Sequence, residues 1–159
     1  MKKWILIVIL CCFSLILSST APDSQKYIRI NVHESKMYVY QGEKLLKKFV
    51  VALHPEKTTK GTYRVNLVVK NPWWKPPRTY QALGYPAVHI PPGPNNPVKW
   101  YWIGLDVWQD EWIKAEIGIH GSLKVEGYNS MGCIRMKKDD IYWLKKQYKI
   151  KKMTIVYIE

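Results

Sequence analysis

Two short segments hold the residues whose types and spacing suit covalent chemistry: Ile117-Gly118-Ile119-His120-Gly121-Ser122 and, after a brief polar stretch, Ser130-Met131-Gly132-Cys133-Ile134-Arg135-Met136. A thiol of ordinary pKa, near 8.5, is only partly ionised at neutral pH, and a neighbouring imidazole that takes its proton makes a ready nucleophile. Cys133 and His120 supply such a pair, expected as a thiolate–imidazolium ion pair. Gly132 permits a close backbone approach, so that N–H donors of Gly132 and Cys133 can stabilise a tetrahedral oxyanion. Gly121 leaves its carbonyl accessible to orient the His120 ring, a role that a carboxylate fills in other triads. Arg135 lies two residues beyond Cys133, hence on the same face of a strand, where its planar fork suits a substrate carboxylate. A structural ion pair or a solvated strand residue is the alternative reading of Arg135.

The cysteine count sharpens this reading. Cys11 and Cys12 lie in the N-terminal apolar segment, which leaves Cys133 as the lone thiol of the folded part and excludes a disulfide there. Cysteine arithmetic alone leaves a second possibility, a small buried hydrophobe. One Cys with dispersed His33, His54 and His89 gives no ligand spacing, so no metal and no cofactor is expected.

Elements able to position these groups are legible around them. Tyr27 to Val32 alternates with Ile28, Ile30 and Val32 on one face, the two-residue period of a half-buried strand. Met37 to Tyr40, a Gln41-Gly42-Glu43 turn and Leu45 to Ala52 read as a hairpin, and Thr62 to Val69 as a further strand. Eight prolines between Asn71 and Pro97 forbid a helix or central strand across most of that stretch. Trp73, Trp74, Tyr80 and Tyr85 make it an ordered, functional loop. Trp100 to Leu105, Ile117 to His120 and Cys133 to Met136 read as short strands, and Asp106 to Glu116 is ambiguous. Asp139 to Tyr148 is the convincing helix, with two Asp at its positive N-terminal end, and Met153 to Ile158 is a closing strand. The economical architecture is a mainly β domain, a sandwich or closed barrel, with one or two short helices.

At 159 residues the chain has room for one compact domain. Lys2 and Lys3, the apolar run Trp4 to Leu17 and the small polar stretch Ser18 to Ala21 read as a signal peptide or N-terminal membrane anchor over residues 1–21. The folded domain is expected over 26–159, outside the cytoplasm, in the wall or periplasmic space. A net charge of +13 suits a polyanionic surrounding, either anionic wall polymers or a membrane surface. Nucleic acid is a poor reading, because the lysines are scattered through strand-like segments with no recognition-helix or zinc motif.

The His-Gly pair followed by Ser-x-Gly-Cys-Ile-Arg resembles the signature of the L,D-transpeptidase catalytic domain, the YkuD type. Lys60-Gly61-Thr62-Tyr63, Asn71-Pro72-Trp73-Trp74 and Pro92-Gly93-Pro94-Asn95-Asn96-Pro97 resemble further family elements, so the likeness extends along most of residues 26–159. Two features depart from the pattern: Cys133 follows His120 by only 13 positions, and Met131 stands where many members carry a His. The resemblance implies a β-sandwich or barrel and Cys133 with His120 as the catalytic pair. It also implies Arg135, Ser130 and Ser122 as contacts to peptidoglycan stem peptides. It implies a cofactor-free cross-linking reaction through a thioester. An L,D-carboxypeptidase or a protein-to-peptidoglycan ligase with the same nucleophile is the alternative, and a silent wall-binding domain is disfavoured because the Cys, His and flanking glycines are intact. A sortase would need its Cys and Arg on separate strands.

Overall fold

The computed structural model describes residues 25–84, 87–127 and 130–159. The signal or anchor reading of residues 1–21 therefore lies outside the described residues. Among the described residues no helix is long and apolar enough to cross a membrane.

Among the described residues eight strands and two helices follow in chain order: β1 (Lys26–Asn31), β2 (Lys36–Gln41), β3 (Lys44–Val50), β4 (Gly61–Lys70), α1 (Arg78–Gln81), β5 (Lys99–Gln109), β6 (Glu111–Gly121), β7 (Ile134–Met136), α2 (Lys138–Lys146) and β8 (Ile155–Ile158). They form one mixed sheet in the order β3-β2-β1-β8-β4-β5-β6-β7. The pairs β1/β8 and β6/β7 are parallel, and the other neighbours are antiparallel. The sheet curls until its two edge regions meet. Beyond β3, Ala52 bridges Arg135 of β7 through two backbone hydrogen bonds, Ala52 N–H to Arg135 O at 3.0 Å and Arg135 N–H to Ala52 O at 2.8 Å. The mainly β reading with one or two short helices holds.

Strand alternation builds the core. Ile28, Ile30, Met37, Val39, Val65, Ile103, Ile119, Ile134, Val156 and Ile158 all point to the concave face and are buried. Helix α2 fills that face with Ile141 and Leu144, its acidic residues in the first turn and Lys145 and Lys146 in the last, as the helix dipole favours. Just past it, the buried Tyr148 hydroxyl reaches the carbonyls of Tyr27 and Tyr40, at 3.1 Å each, and so ties the end of the helix to β1 and β2.

The ambiguous stretch Asp106 to Glu116 proves to be the outer half of a long β5–β6 hairpin turning at Asp110, whose φ is 58°. Register shifts between Gly104 and Asp106 break the alternation there, which is why the two-residue period could not be read through it. Trp108 and Trp112 face each other across the strands with ring centroids 5.1 Å apart.

Among its described residues, the proline-rich stretch between β4 and β5 holds the four-residue α1 and an isolated bridge, Trp74 with Ile90, closed by hydrogen bonds of 2.9 and 2.7 Å. Buried Asn96 pins its two ends together. Its side chain donates to Pro72 O at 2.9 Å and to Ile90 O at 3.3 Å, and its oxygen accepts the Val98 N–H at 2.8 Å.

Candidate active site

Because Ile103, Ile119 and Ile134 face the core, their neighbours on β5, β6 and β7 face the opposite side of the sheet. Trp102 is paired with His120, and His120 in turn with Arg135. These three side chains therefore stand in a row on the convex face, with Cys133 immediately before β7 on the same side. The proline-rich loop covers this face and leaves a cleft of about 590 Å³. Its lining includes Cys133, His120, Arg135, Trp102, Trp74 and Met131. The structure thus brings Cys133, His120 and Arg135 into one cavity.

Local sequence explains the row. A Cβ at position 118 would lie 2.6 Å from Ile103 O and 2.7 Å from the Trp102 ring, so only glycine leaves room for the indole to lie beside the histidine. The Trp102 and His120 rings are 5.9 Å apart at 32°. Gly121 is restricted in the same way, since a Cβ there would meet Lys99 O at 2.6 Å and press into Trp100. The His120 Nδ1 lies 2.9 Å from Gly121 O. A carbonyl can only accept, so Nδ1 carries the proton in this contact and Nε2 is the ring nitrogen without one.

Electrostatics differ from the expected ion pair. Burial pulls the His120 pKa down to about 4, with the Arg135 charge acting in the same direction and the Gly121 hydrogen bond against it. Burial pushes the Cys133 thiol up, opposed by a hydrogen bond from the Gly118 backbone and by Arg135. Both shifts favour the uncharged forms, a thiol and an imidazole that line one cleft. Separated charges would have to be held in a desolvated wall of the cleft, and removal from water disfavours both charged forms. Such a pair suits proton transfer that accompanies bond formation, not a preformed thiolate.

The remaining expected residues occupy distinct places. Ser130 is buried and its hydroxyl braces the loop that carries Cys133, accepting the Gly132 N–H at 3.0 Å and donating to Cys133 O in a short hydrogen bond. Gly132 has a φ of 118°, and a Cβ there would lie 2.9 Å from Lys57 O. Its N–H is engaged by the Ser130 hydroxyl. Ser122 is buried, accepts the Lys124 N–H at 3.2 Å and lines two neighbouring grooves that do not include Cys133. Arg135 borders both the cleft and one of those grooves. Among the described residues no cluster of His, Cys, Asp and Glu suits a metal ion.

Sequence reasoning missed Trp102, Gly118 and Thr58. Gly118 was visible as the residue two before His120, and Trp102 becomes evident once β5 is paired with β6. Buried Thr58 donates to Gly132 O at 3.0 Å from 74 positions away, and nothing local announces that contact.

A search of curated protein sequences found none with significant similarity. Solved structures do resemble the chain. An Enterococcus faecium L,D-transpeptidase superposes with a TM-score of 0.61 at 19% identity, over 86% of this chain and 50% of that one. An L,D-transpeptidase from Mycobacterium smegmatis gives 0.57 at 12% identity, covering 86% and 59%. One from Xylanimonas cellulosilytica gives 0.58 at 11%, covering 86% and 61%. The chain spans half to three-fifths of the length of these proteins, and identities this low speak for the fold alone. The sequence itself matches the YkuD family, described as the L,D-transpeptidase catalytic domain, over residues 25–158, and the chain belongs to that family.

Proposed function

We propose that this protein is a peptidoglycan L,D-transpeptidase acting through a Cys133 thioester. The observation that carries the reading is the shared cleft of Cys133 and a neutral His120 whose Nδ1 is held by Gly121, leaving Nε2 free to move a proton. A stem tetrapeptide enters, and the Cys133 sulfur attacks the carbonyl carbon of its third residue while the thiol proton passes to His120. The tetrahedral oxyanion collapses. The bond to the terminal D-alanine breaks, its amine leaves with the proton from His120, and the acyl group remains on sulfur. An amine of a second stem attacks the thioester, gives its proton to His120 and forms the new amide as the thiol is restored. Water in place of the amine yields a free tripeptide, and the same residues then act as an L,D-carboxypeptidase. A protein amine as acceptor would make the enzyme a protein-to-peptidoglycan ligase.

The reading places the catalytic domain outside the cytoplasmic membrane, held there by residues 1–21 if they persist as an anchor. Its basic surface supports a location among anionic wall polymers or at a membrane surface. Lys137, Lys138, Lys145, Lys146, Lys149, Lys151 and Lys152 in and around α2 outnumber Asp139 and Asp140.

The test is incubation of the purified protein with a disaccharide tetrapeptide, followed by mass spectrometry of the products. Cross-linked dimer with released D-alanine is expected, and trimmed tripeptide alone assigns a carboxypeptidase. Unchanged substrate rejects the reading.

A further inference from the structure

The nucleophile lies between two ties to a single loop. On its C-terminal side, Ala52 and Arg135 exchange backbone hydrogen bonds of 3.0 and 2.8 Å. On its N-terminal side, the Thr58 hydroxyl donates to Gly132 O at 3.0 Å. Between them, residues 52–58 make a tight turn in which His54 O accepts both the Lys57 N–H at 3.0 Å and the Thr58 N–H at 2.8 Å. Thr58 is 1% exposed, so its hydroxyl occupies a fixed, dry position.

Gly132 O belongs to the peptide unit whose N–H is that of Cys133. This bond is trans, as are all the described peptide bonds, so the N–H points away from the carbonyl that Thr58 grips. Gly132, at a φ of 118°, has the backbone freedom to let that unit rotate. The peptide units on either side are held by Ser130, at the Gly132 N–H and the Cys133 O, and Thr58 holds the oxygen of the unit between them.

We propose that Thr58 is a positioning residue for acyl transfer, holding the Gly132–Cys133 peptide so that the Cys133 N–H is aimed at the oxygen of the attacked carbonyl. The inference rests on the thioester reading above. It assigns the 52–58 loop, remote in sequence from the His120 and Cys133 motifs, the work of setting the oxyanion donor before substrate arrives. Preset donors are effective because no reorganisation accompanies charge development in the transition state.

The experiment compares the full chain as wild type, Thr58→Val and Thr58→Ser. Val keeps the shape of Thr without the donor, and Ser keeps the donor. Three quantities are read: the single-turnover rate of acylation by a stem tetrapeptide from intact mass, the rate of Cys133 alkylation by iodoacetamide, and Tm. Alkylation displaces iodide at a saturated carbon and develops no oxyanion. Thr58→Val is expected to slow acylation by at least about tenfold, short of the full loss of a donor, while alkylation stays within about twofold. Thr58→Ser is expected to restore acylation to within about threefold of wild type. Wild-type acylation in Thr58→Val, a parallel fall of acylation and alkylation, or no rescue by Ser overturns the proposal. A wild-type protein that forms no adduct removes the thioester reading, and the proposal with it.

Discussion

The two walls of the cleft are built on opposite principles. The Cys133 side, residues 52–58 with 130–136, is a lattice of hydrogen bonds in which Thr58, Ser130, Gly132 and Ala52 each have an assigned partner. The facing side, residues 71–98, is an aromatic and proline-rich loop with little regular structure. It is pinned at Asn96 and at the Trp74–Ile90 bridge, and Trp73 stands 65% exposed. Covalent chemistry depends on angles and sub-ångström placement, which buried hydrogen bonds supply. Recognition of a flexible peptide depends on apolar area and a few anchors, which a proline-stiffened loop supplies at low conformational cost. Substitutions on the first side should therefore act on every acylation step, and those on the second on substrate binding.

The largest effect is expected at Cys133. Cys133→Ala should abolish turnover with little change in Tm, because the only thiol of the described fold is removed by a small truncation. Product formation from a stem tetrapeptide checks this. His120→Ala should lower the acylation rate by about 10²–10⁴-fold, the usual contribution of a positioned base. Burst kinetics on the same substrate measure it.

The lowered His120 pKa also bears on stability. Between pH 6.5, the ordinary value, and about 4, the unfolded chain binds a proton that the folded protein refuses. Stability should therefore rise with pH across that window, by on the order of 3 kcal/mol from this residue. Urea unfolding at pH 4.5 and pH 7 reads the slope, which His120→Gln should flatten. The raised thiol predicts that alkylation of Cys133 by iodoacetamide climbs only above the ordinary thiol pKa, with no plateau at neutral pH.

On the facing wall, Asn96→Ala removes three hydrogen bonds from a buried site and should cost about 2–3 kcal/mol. It should raise KM for the peptide while leaving iodoacetamide alkylation at the wild-type rate; loss of alkylation would show that the two walls are not separable. Arg135 sits where they meet, and Arg135→Lys keeps the charge but loses the planar fork. Selective loss of peptide turnover with unchanged Tm and alkylation supports carboxylate binding. A parallel loss of both rates with lowered Tm assigns Arg135 to holding the strand.

The two walls also differ in how much of them the sequence disclosed. Ile28, Ile30 and Val32 alternate without interruption, as do Thr154, Val156 and Ile158, and both strands are found within a residue or two of their expected ends. The hairpin half from Asp106 to Glu116 was illegible because bulges shift its register and both faces near the tip meet solvent. His120 and Cys133 were legible because each sits in a compact run of glycines and polar residues. Thr58 and Trp102 were not, since their contacts depend on how distant strands pair. Nor was the direction of the pKa shifts: a sequence shows that a thiol and an imidazole are present, but the burial that disfavours their charged forms arises only in the folded chain.

The central claim is that Cys133 carries the acyl group. Intact-mass spectrometry of the protein quenched in acid during turnover of a stem tetrapeptide tests it most directly. The expected result is an adduct equal to the tripeptide acyl group, localised to Cys133 by peptide mapping, discharged by an amine acceptor and absent from Cys133→Ala. Release of D-alanine without any adduct, or by the Cys133→Ala protein, would contradict the account.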